Sequence, residues 1–206
     1  EFSDDTMELL SLAGRARAVE LQCGSGDSLE RAIRSDLDLS RFEYVSVHAP
    51  ADPSLKEVVL MRKLADRYRI DNFVLHPSAS SDWGLLARSG LPVSVENMDG
   101  RKGFGRDVAE IGPILERYAF GLVLDLQHCF DNDRSMGSAR EFQNLFGERI
   151  VEYHVSGSDR ERDHFPLFKT GQDAIIGPLK GKRTPMIIES VLLSVDEIEA
   201  EFKCRV

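Results

Sequence analysis

The sequence predicts an α/β fold, a TIM (β/α) barrel in which seven strands are recognisable. Short β-branched runs alternate with amphipathic stretches along the chain, which is typical of parallel strands joined by crossover helices. No complete GxGxxG motif follows the first run, so the usual signature of an open dinucleotide-binding sheet is missing. The length of 206 residues fits the short end of the barrel range, about 200 to 400 residues.

The elements follow from hydrophobic periodicity. The predicted strands are 18–22, 44–48, 72–76, 92–96, 121–125, 150–154 and 185–189. The predicted helices are 28–34, 55–68, 83–88, 106–118, 138–146 and 194–202, of which 55–68 is the clearest because Leu55, Val58, Val59, Met61 and Leu64 recur at helical spacing. Asp27–Ser28 and Ser194 are predicted N-caps, and Pro113 is predicted to kink or restart its helix.

The first 17 residues predict a helix with no strand before it. The N-terminal strand of an eight-stranded barrel is therefore expected to be absent or replaced. No linker or repeat divides the chain, so residues 1–206 are predicted to form a single domain.

Composition places limits on partners and location. The longest apolar runs are far shorter than the 18 or so residues of a membrane span, so no membrane partner is expected. The net charge of −9 disfavours non-specific binding to nucleic acid, which depends on many Lys and Arg contacts to phosphate. The three widely spaced cysteines, without a CxxC motif, predict a cytoplasmic protein without a disulfide framework.

Six consecutive predicted strands end in a histidine or a carboxylate. These residues are His48, His76, Glu96, Asp125, His154 and Glu189. In a barrel, the carboxyl ends of the strands surround one mouth, where active sites lie. The other two of the five histidines are His128, three residues after Asp125, and His164, ten residues after His154. All eight side chains can therefore reach one place, and together they predict a metal site.

The types of ligand indicate which metals the site would hold. Imidazole and carboxylate without a clustered thiolate suit zinc or manganese, and also iron or cobalt, better than calcium or magnesium. Because a tetrahedral zinc needs about four ligands, eight candidates suffice for two or three metals with bridging carboxylates. We expect zinc, with manganese as the alternative. Metals held close together are typical of phosphoester chemistry.

Seven short motifs contain these residues and follow one another along the chain. They are VHAP at 47–50, VLHPS at 74–78, VEN at 95–97, DLQH at 125–128, YH at 153–154, HFPL at 164–167 and IIES at 187–190. This series resembles the xylose-isomerase-like TIM barrels, and within them the endonuclease IV branch (AP endonuclease family 2). The resemblance covers nearly the whole chain, about residues 18–191.

The resemblance implies three metals with shared ligands. His48, His76 and Glu96 would hold the first metal, and His128 and His164 the third. The second metal would be held by Glu96, Asp125, His154 and Glu189. The family's aspartate two residues before the last histidine is replaced by Arg162, which puts the third metal in doubt unless Asp159 or Asp163 substitutes. The implied activity is cleavage of a phosphoester by a metal-bound hydroxide, with Glu96 and Glu189 as catalytic residues.

The predicted substrate is a nucleic-acid end, a nucleotide or a sugar phosphate. The family inserts side chains into duplex DNA from the loop after the first histidine strand, but residues 49–53 offer none that can intercalate. Intact duplex DNA is therefore disfavoured as a partner. The glycine-rich loop 99–106 carries Arg101, which is expected to bind a phosphate together with backbone N–H groups. The oligomeric state is not predicted.

Two alternatives remain open at this point. The same barrel supports metal-dependent sugar isomerases and epimerases, which the subset Glu96, Asp125, His154 and Glu189 resembles. In that case one metal is bound, Glu96 and Glu189 act as an acid–base pair, and Arg160 contacts the substrate. His48 and His76 would then contact the substrate as well. A barrel that binds metal without catalysis is the second alternative.

Overall fold

Seven parallel strands form one sheet in which each strand pairs with its neighbour in sequence. The computed structural model describes residues 16–78, 81–159 and 164–204. The sheet order is β1-β2-β3-β4-β5-β6-β7. The strands are β1 Ala18–Gln22, β2 Tyr44–His48, β3 Asn72–Leu75, β4 Val93–Glu96, β5 Gly121–Asp125, β6 Ile150–Val155 and β7 Met186–Ile188. The edge strands β1 and β7 contact each other, so the sheet forms a nearly closed barrel.

Helices connect the strands on the outside of the barrel, as the alternation of the sequence predicts. They are α1 Gly26–Arg34, α2 Leu55–Arg67, α3 Trp83–Ser89, α4 Val108–Arg117, α5 Leu126–Asn132, α6 Gly137–Phe146, α7 Leu167–Thr170, α8 Asp173–Ile176 and α9 Val195–Lys203. Short 3₁₀ turns lie at Gly147–Arg149 and Gly177–Leu179. The helix predicted within the first 17 residues falls almost entirely outside the described residues.

Local chemistry sets the helix ends. Ser194 caps α9 as predicted, because its hydroxyl accepts the N–H of Glu197 at 3.2 Å. The cap of α1 is Ser25 and not the predicted Asp27–Ser28, since the hydroxyls and backbone N–H groups of Ser25 and Ser28 form a reciprocal capping box. The predicted restart at Pro113 is not seen, because Pro113 lies inside the helix α4 without interrupting it.

The apolar core lies between the outer face of the sheet and the helices. Outward-facing strand residues such as Val47 and Leu75 are buried against helix residues such as Met61 and Leu64. The spacing of apolar residues predicts the buried face of α2 only in part, because Leu55 and Val59 are exposed while Leu60 is buried. The barrel interior is different in character, since its buried positions are mostly polar or charged.

No helix in the described ranges has both the length and the apolar character required to cross a bilayer. The three cysteines, which all lie in described parts of the chain, are free thiols.

Glu201 joins the last helix to the segment after β7. Its carboxylate is buried and accepts the backbone N–H groups of Leu167 at 2.9 Å and Phe168 at 3.0 Å. It also accepts the hydroxyl of Ser190, the residue after Glu189. The beginning of α7 and the segment around Glu189 therefore depend on one buried carboxylate.

The variant Glu201→Ala is expected to lower the free energy of unfolding by about 2–4 kcal/mol, because it leaves two backbone donors without an acceptor. Urea denaturation followed by circular dichroism measures this change. Glu199→Ala is the control, since Glu199 is an exposed residue of the same helix, paired with Lys203 at 3.6 Å. Equal unfolding midpoints for the two variants would contradict the structural role of Glu201.

Candidate metal centre

The carboxyl ends of β2, β3 and β4 bring together the first predicted ligand set. His48 Nε2 lies 2.9 Å from His76 Nε2, so two ring nitrogens point at the same position. Glu96 Oε2 lies 3.2 Å from His76 Nε2 and 3.7 Å from His48 Nε2. One ligand atom from each of the three residues lies within 4.8 Å of the others, which is the arrangement that a shared cation requires.

The second set shares Glu96 and continues around the mouth. Its members are Glu96, Asp125, His154 and Glu189, whose ligand atoms also lie within 4.8 Å of one another. Nδ1 of His154 is 3.1 Å from Glu96 Oε1 and 3.3 Å from Glu189 Oε1. Both sets match the groupings that the family resemblance implies. Because Glu96 offers Oε2 to the first set and Oε1 to the second, it stands between them.

Unpaired oxygens show that these residues suit cations. Asp125 Oδ2 and Glu189 Oε2 are buried, and neither has a hydrogen-bond partner among the described residues. An unpaired carboxylate oxygen inside a protein is costly unless a cation or a donor reaches it. The mixture of imidazole nitrogen and carboxylate oxygen suits zinc or manganese. The residues therefore fit divalent metal ions.

Protonated imidazole side chains compensate part of this negative charge. Burial alone would raise the pKa of Glu96, but His154 and His76 outweigh it and hold that pKa well below its ordinary value. Burial also opposes ionisation of Glu189, whose pKa His154 nevertheless lowers to about 2. The pKa of His154 is raised well above its ordinary value, because the surrounding carboxylates outweigh its burial.

Asp125 and His128 form a neighbouring pair. Asp125 Oδ1 accepts the backbone N–H of His128 at 2.8 Å, and Asp125 Oδ2 lies 3.5 Å from His128 Nδ1. Burial raises the pKa of Asp125 to about 8. The pKa of His128 rises to about 9, because Asp125, Glu96 and the carbonyl of Asn97 outweigh its burial.

The structure places His128 and His164 at the edges of the two sets. His128 Nδ1 donates to the carbonyl of Asn97 at 2.7 Å, and its Nε2 lies 3.7 Å from Asp99 Oδ2. His164 Nδ1 lies 3.5 Å from Glu189 Oε2. Within the described ranges, neither histidine belongs to a group of three converging ligand atoms. A third metal on these two residues stays a prediction.

The loop after β4 is built differently from the expected phosphate cradle. Asp99 pairs with the Arg101 guanidinium and accepts the backbone N–H of Arg101 at 2.7 Å. Glu110 accepts the backbone N–H groups of Gly105 and Arg106 at 2.9 and 2.8 Å. Several backbone donors are thus already used inside the loop. Binding of substrate by Arg101 stays a prediction, and the predicted residue Arg160, like Arg162 and Asp163, lies outside the described residues.

A cavity of about 690 Å³ opens above the two sets. It is of a size that holds small ligands. Its lining includes carboxylates and histidines together with Arg101 and Lys102.

Two further acidic residues, Glu20 and Glu152, lie beneath the mouth and were not predicted. With His154 they form a third group of converging ligand atoms. Glu152 Oε1 is 3.5 Å and Glu20 Oε2 is 3.4 Å from His154 Nε2. Most of the predicted ligands lie at strand ends, whereas Glu20 and Glu152 lie within β1 and β6. The signal was the period of two along a strand, which points Glu152 to the same side as His154.

Metal uptake is expected to release protons and to strengthen as the pH rises. Protons held by His154 and Asp125 compete with a metal, since the pKa of Asp125 is about 8 and that of His154 is higher than usual. Affinity for zinc should therefore fall as the pH is lowered below about 8, and proton release should decline above pH 8 as Asp125 loses its proton beforehand. Titration calorimetry in two buffers of different ionisation enthalpy measures the release, and heats independent of the buffer would contradict it.

The chain is similar in fold to several proteins of known structure. No family model and no curated protein matches the chain. Among solved structures, endonuclease IV from Thermus thermophilus matches with a TM-score of 0.56 and 15% identity, over 90% of this chain and 96% of that one. A xylose isomerase domain containing protein from Salmonella typhimurium matches with a TM-score of 0.57 and 16% identity, over 96% and 89%.

A sugar phosphate isomerase/epimerase from Parabacteroides distasonis matches with a TM-score of 0.54 and 12% identity, over 97% of this chain and 85% of that one. All three have the xylose-isomerase-like TIM-barrel fold. At such low identity the likeness concerns fold and does not extend to a reaction. The chain has an α/β TIM-barrel-like fold similar to that of these three structures, as the alternation of strands and helices in its sequence predicted.

Proposed function

We propose that this protein is a metal-dependent hydrolase that cleaves a phosphoester at the mouth of the barrel. The observation that carries the proposal is the pair of ligand sets that share Glu96, one of which contains His48 and His76 with their Nε2 atoms 2.9 Å apart. A second cation would use both imidazoles as ligands, together with one oxygen of Glu96. Two adjacent cations suit the in-line displacement of a phosphoester.

Each residue of the two sets then has a role. Glu96 bridges the sets, His48 and His76 hold one cation, and Asp125, His154 and Glu189 hold the other. Cations bound there, which we propose to be zinc or manganese, would neutralise charge on phosphoryl oxygens and acidify water. Glu189 lies at the edge of the cavity, with its side chain only 11% exposed, so it can contact both a cation and a substrate.

The charges around the cavity favour a small anionic substrate once the carboxylates are neutralised. Arg101 and Lys102 line the same cavity as the two acidic sets. Lys102 is exposed, and Arg101 is oriented by Asp99. A phosphate bound in the cavity would contact positive charge from these side chains as well as from the cations. We propose a nucleotide, a sugar phosphate or a nucleic-acid end as the substrate.

The loop after β2 supports a substrate other than duplex DNA. Ala49 is buried, and Asp52 accepts hydrogen bonds from the hydroxyl of Ser78 at 2.8 and 2.7 Å. Asp52 also accepts the hydroxyl of Ser81. The loop is thus attached to the segment after β3, and its residues 49–53 include no aromatic side chain that could enter a base stack.

A sugar isomerase or epimerase is the second candidate, and one observation favours it. The carboxylates of Glu96 and Glu189 both approach His154 Nδ1, at 3.1 and 3.3 Å, so two potential acid–base groups belong to one ligand set. Two of the similar solved structures carry isomerase names. In this candidate a single cation is bound, and His48 and His76 contact the substrate.

The variant His76→Ala distinguishes the two candidates. A hydrolase with two adjacent cations is expected to lose one metal per chain and at least about 10²-fold in kcat/KM toward phosphoesters, because a cation supplies several kcal/mol to the transition state. Elemental analysis of untagged protein, purified without chelator, measures the metals. Assays with nucleotides, sugar phosphates and a nicked oligonucleotide measure the activity.

Wild-type protein and the surface variant Glu199→Ala serve as controls and should hold two or three metals. One metal in the wild type, kept in His76→Ala with a raised KM for a sugar, would contradict the hydrolase and support the isomerase. Absence of metal from the wild type, even after dialysis against zinc and manganese, would contradict both enzymes.

A further inference from the structure

We propose that Glu152 is a positioning residue that holds the His154 ring so that Nδ1, and not Nε2, faces the metal centre. This inference rests on the proposed metal site and adds a residue to it. His154 is completely buried, and each of its two ring nitrogens faces a different group of carboxylates. Nδ1 faces Glu96 and Glu189 at the mouth, and Nε2 faces Glu152 and Glu20 inside the barrel.

Glu152 is held in place by three neutral donors from the opposite side of the barrel. The Ser46 hydroxyl donates to Oε1 at 2.7 Å. The Tyr44 hydroxyl and the Asn72 amide donate to Oε2 at 3.0 and 2.9 Å. The Ser94 hydroxyl in turn donates to the Asn72 carbonyl oxygen at 2.7 Å, which fixes the orientation of the amide. Strands β2, β3 and β4 thus together orient one carboxylate of β6.

This arrangement assigns different roles to the two nitrogens of His154. Glu152 is an acceptor whose orientation is fixed before any metal arrives, and its Oε1 is 3.5 Å from Nε2. A proton on Nε2 would face this carboxylate, and the lone pair on Nδ1 would then be left for the cation. Histidines that bind metal commonly donate their other N–H to a carboxylate, which fixes the tautomer and raises ligand basicity.

Glu20 is equally close to Nε2 but is held differently. Its Oε2 is 3.4 Å from Nε2, while its Oε1 accepts the amide of Gln22, an exposed residue at the end of β1, at 2.9 Å. The Ser46 hydroxyl is 3.4 Å from Glu20 Oε2, farther than from Glu152. Glu20 therefore matches Glu152 in side-chain type and in distance from Nε2 but lacks its network of donors.

The same three residues could instead hold a metal inside the barrel. The hydrogen bonds of Glu152 argue against this, because both of its oxygens already accept donors from neutral groups and a cation would have to displace them. The positioning role uses these hydrogen bonds as they stand.

The experiment compares Glu152→Gln with Glu20→Gln. Zinc affinity is measured by competition with a chelator, and the protonated ring nitrogen of His154 is identified by ¹⁵N NMR of the zinc-loaded protein. Glu152→Gln is expected to lower zinc affinity about 10- to 100-fold and to change the ¹⁵N shifts of His154. Glu20→Gln makes the same substitution at the same distance from Nε2, but Glu20 lacks the three donors that orient Glu152. This control variant is therefore expected to have the smaller effect and to leave those shifts unchanged.

Tyr44→Phe is a milder test if Glu152→Gln does not fold, because it removes one of the three donors and keeps the carboxylate. It should weaken zinc binding in the same direction, and unchanged affinity in this variant would overturn the proposal. Equal losses in Glu152→Gln and Glu20→Gln would overturn it in favour of a simple charge effect. Zinc on Nε2 in the wild type, or loss of one whole metal with the others unaffected, would assign a metal to the interior group instead.

These outcomes are separate from those of the proposed reaction. A wild-type protein that binds zinc through His154 Nδ1 but cleaves no phosphoester overturns the reaction and leaves the role of Glu152 intact. A wild-type protein that takes up no zinc overturns both.

Discussion

The burial of His154 between two groups of carboxylates is the interaction on which the barrel interior depends. Carboxylates removed from water require donors or cations. Below the ring, Glu152 receives three neutral donors. Above it, Glu96 and Glu189 share one imidazole and retain oxygens that point into the mouth. Glu152 is thus satisfied by the protein itself, whereas the upper layer keeps unpaired carboxylate oxygens that cations would complete. This division favours the mouth as the place of the proposed metal centre.

Most of the fold could be predicted from sequence because buried parallel strands form short β-branched runs that few other elements imitate. All seven strands occur within about one residue of their predicted bounds. The errors concern finer features. Helices α7 and α8 have four residues each, too few to show a period of 3.6. The exposure of Leu55 and Val59 depends on how α2 sits against the sheet, which the spacing of apolar residues alone does not determine.

The site was predictable to the extent that topology determines it. Because parallel strands all end at the same mouth, ligands at their carboxyl ends converge even when far apart in sequence, as Glu96 and Glu189 do. The carboxylates beneath the mouth, Glu20 and Glu152, lie within strands and not at strand ends, so the strand-end pattern does not predict them. Alternation along β2 also points Ser46 to the same side as His48. What no pattern in the chain reveals is that Ser46 reaches across the barrel to Glu152, since strand number and curvature set that distance.

The residues that would distinguish a hydrolase from an isomerase lie at the ends of two strands, β2 and β3. Either chemistry would use the second ligand set, which consists of Glu96, Asp125, His154 and Glu189. Glu152, which supports His154, would serve both reactions equally. Only β2 and β3 add something specific, namely two imidazoles that converge on one oxygen of Glu96. Burial lowers the pKa of His48, which favours the neutral imidazole that a cation requires as a ligand. Two converging ring nitrogens beside a buried carboxylate are better suited to binding a second metal than to holding a sugar hydroxyl.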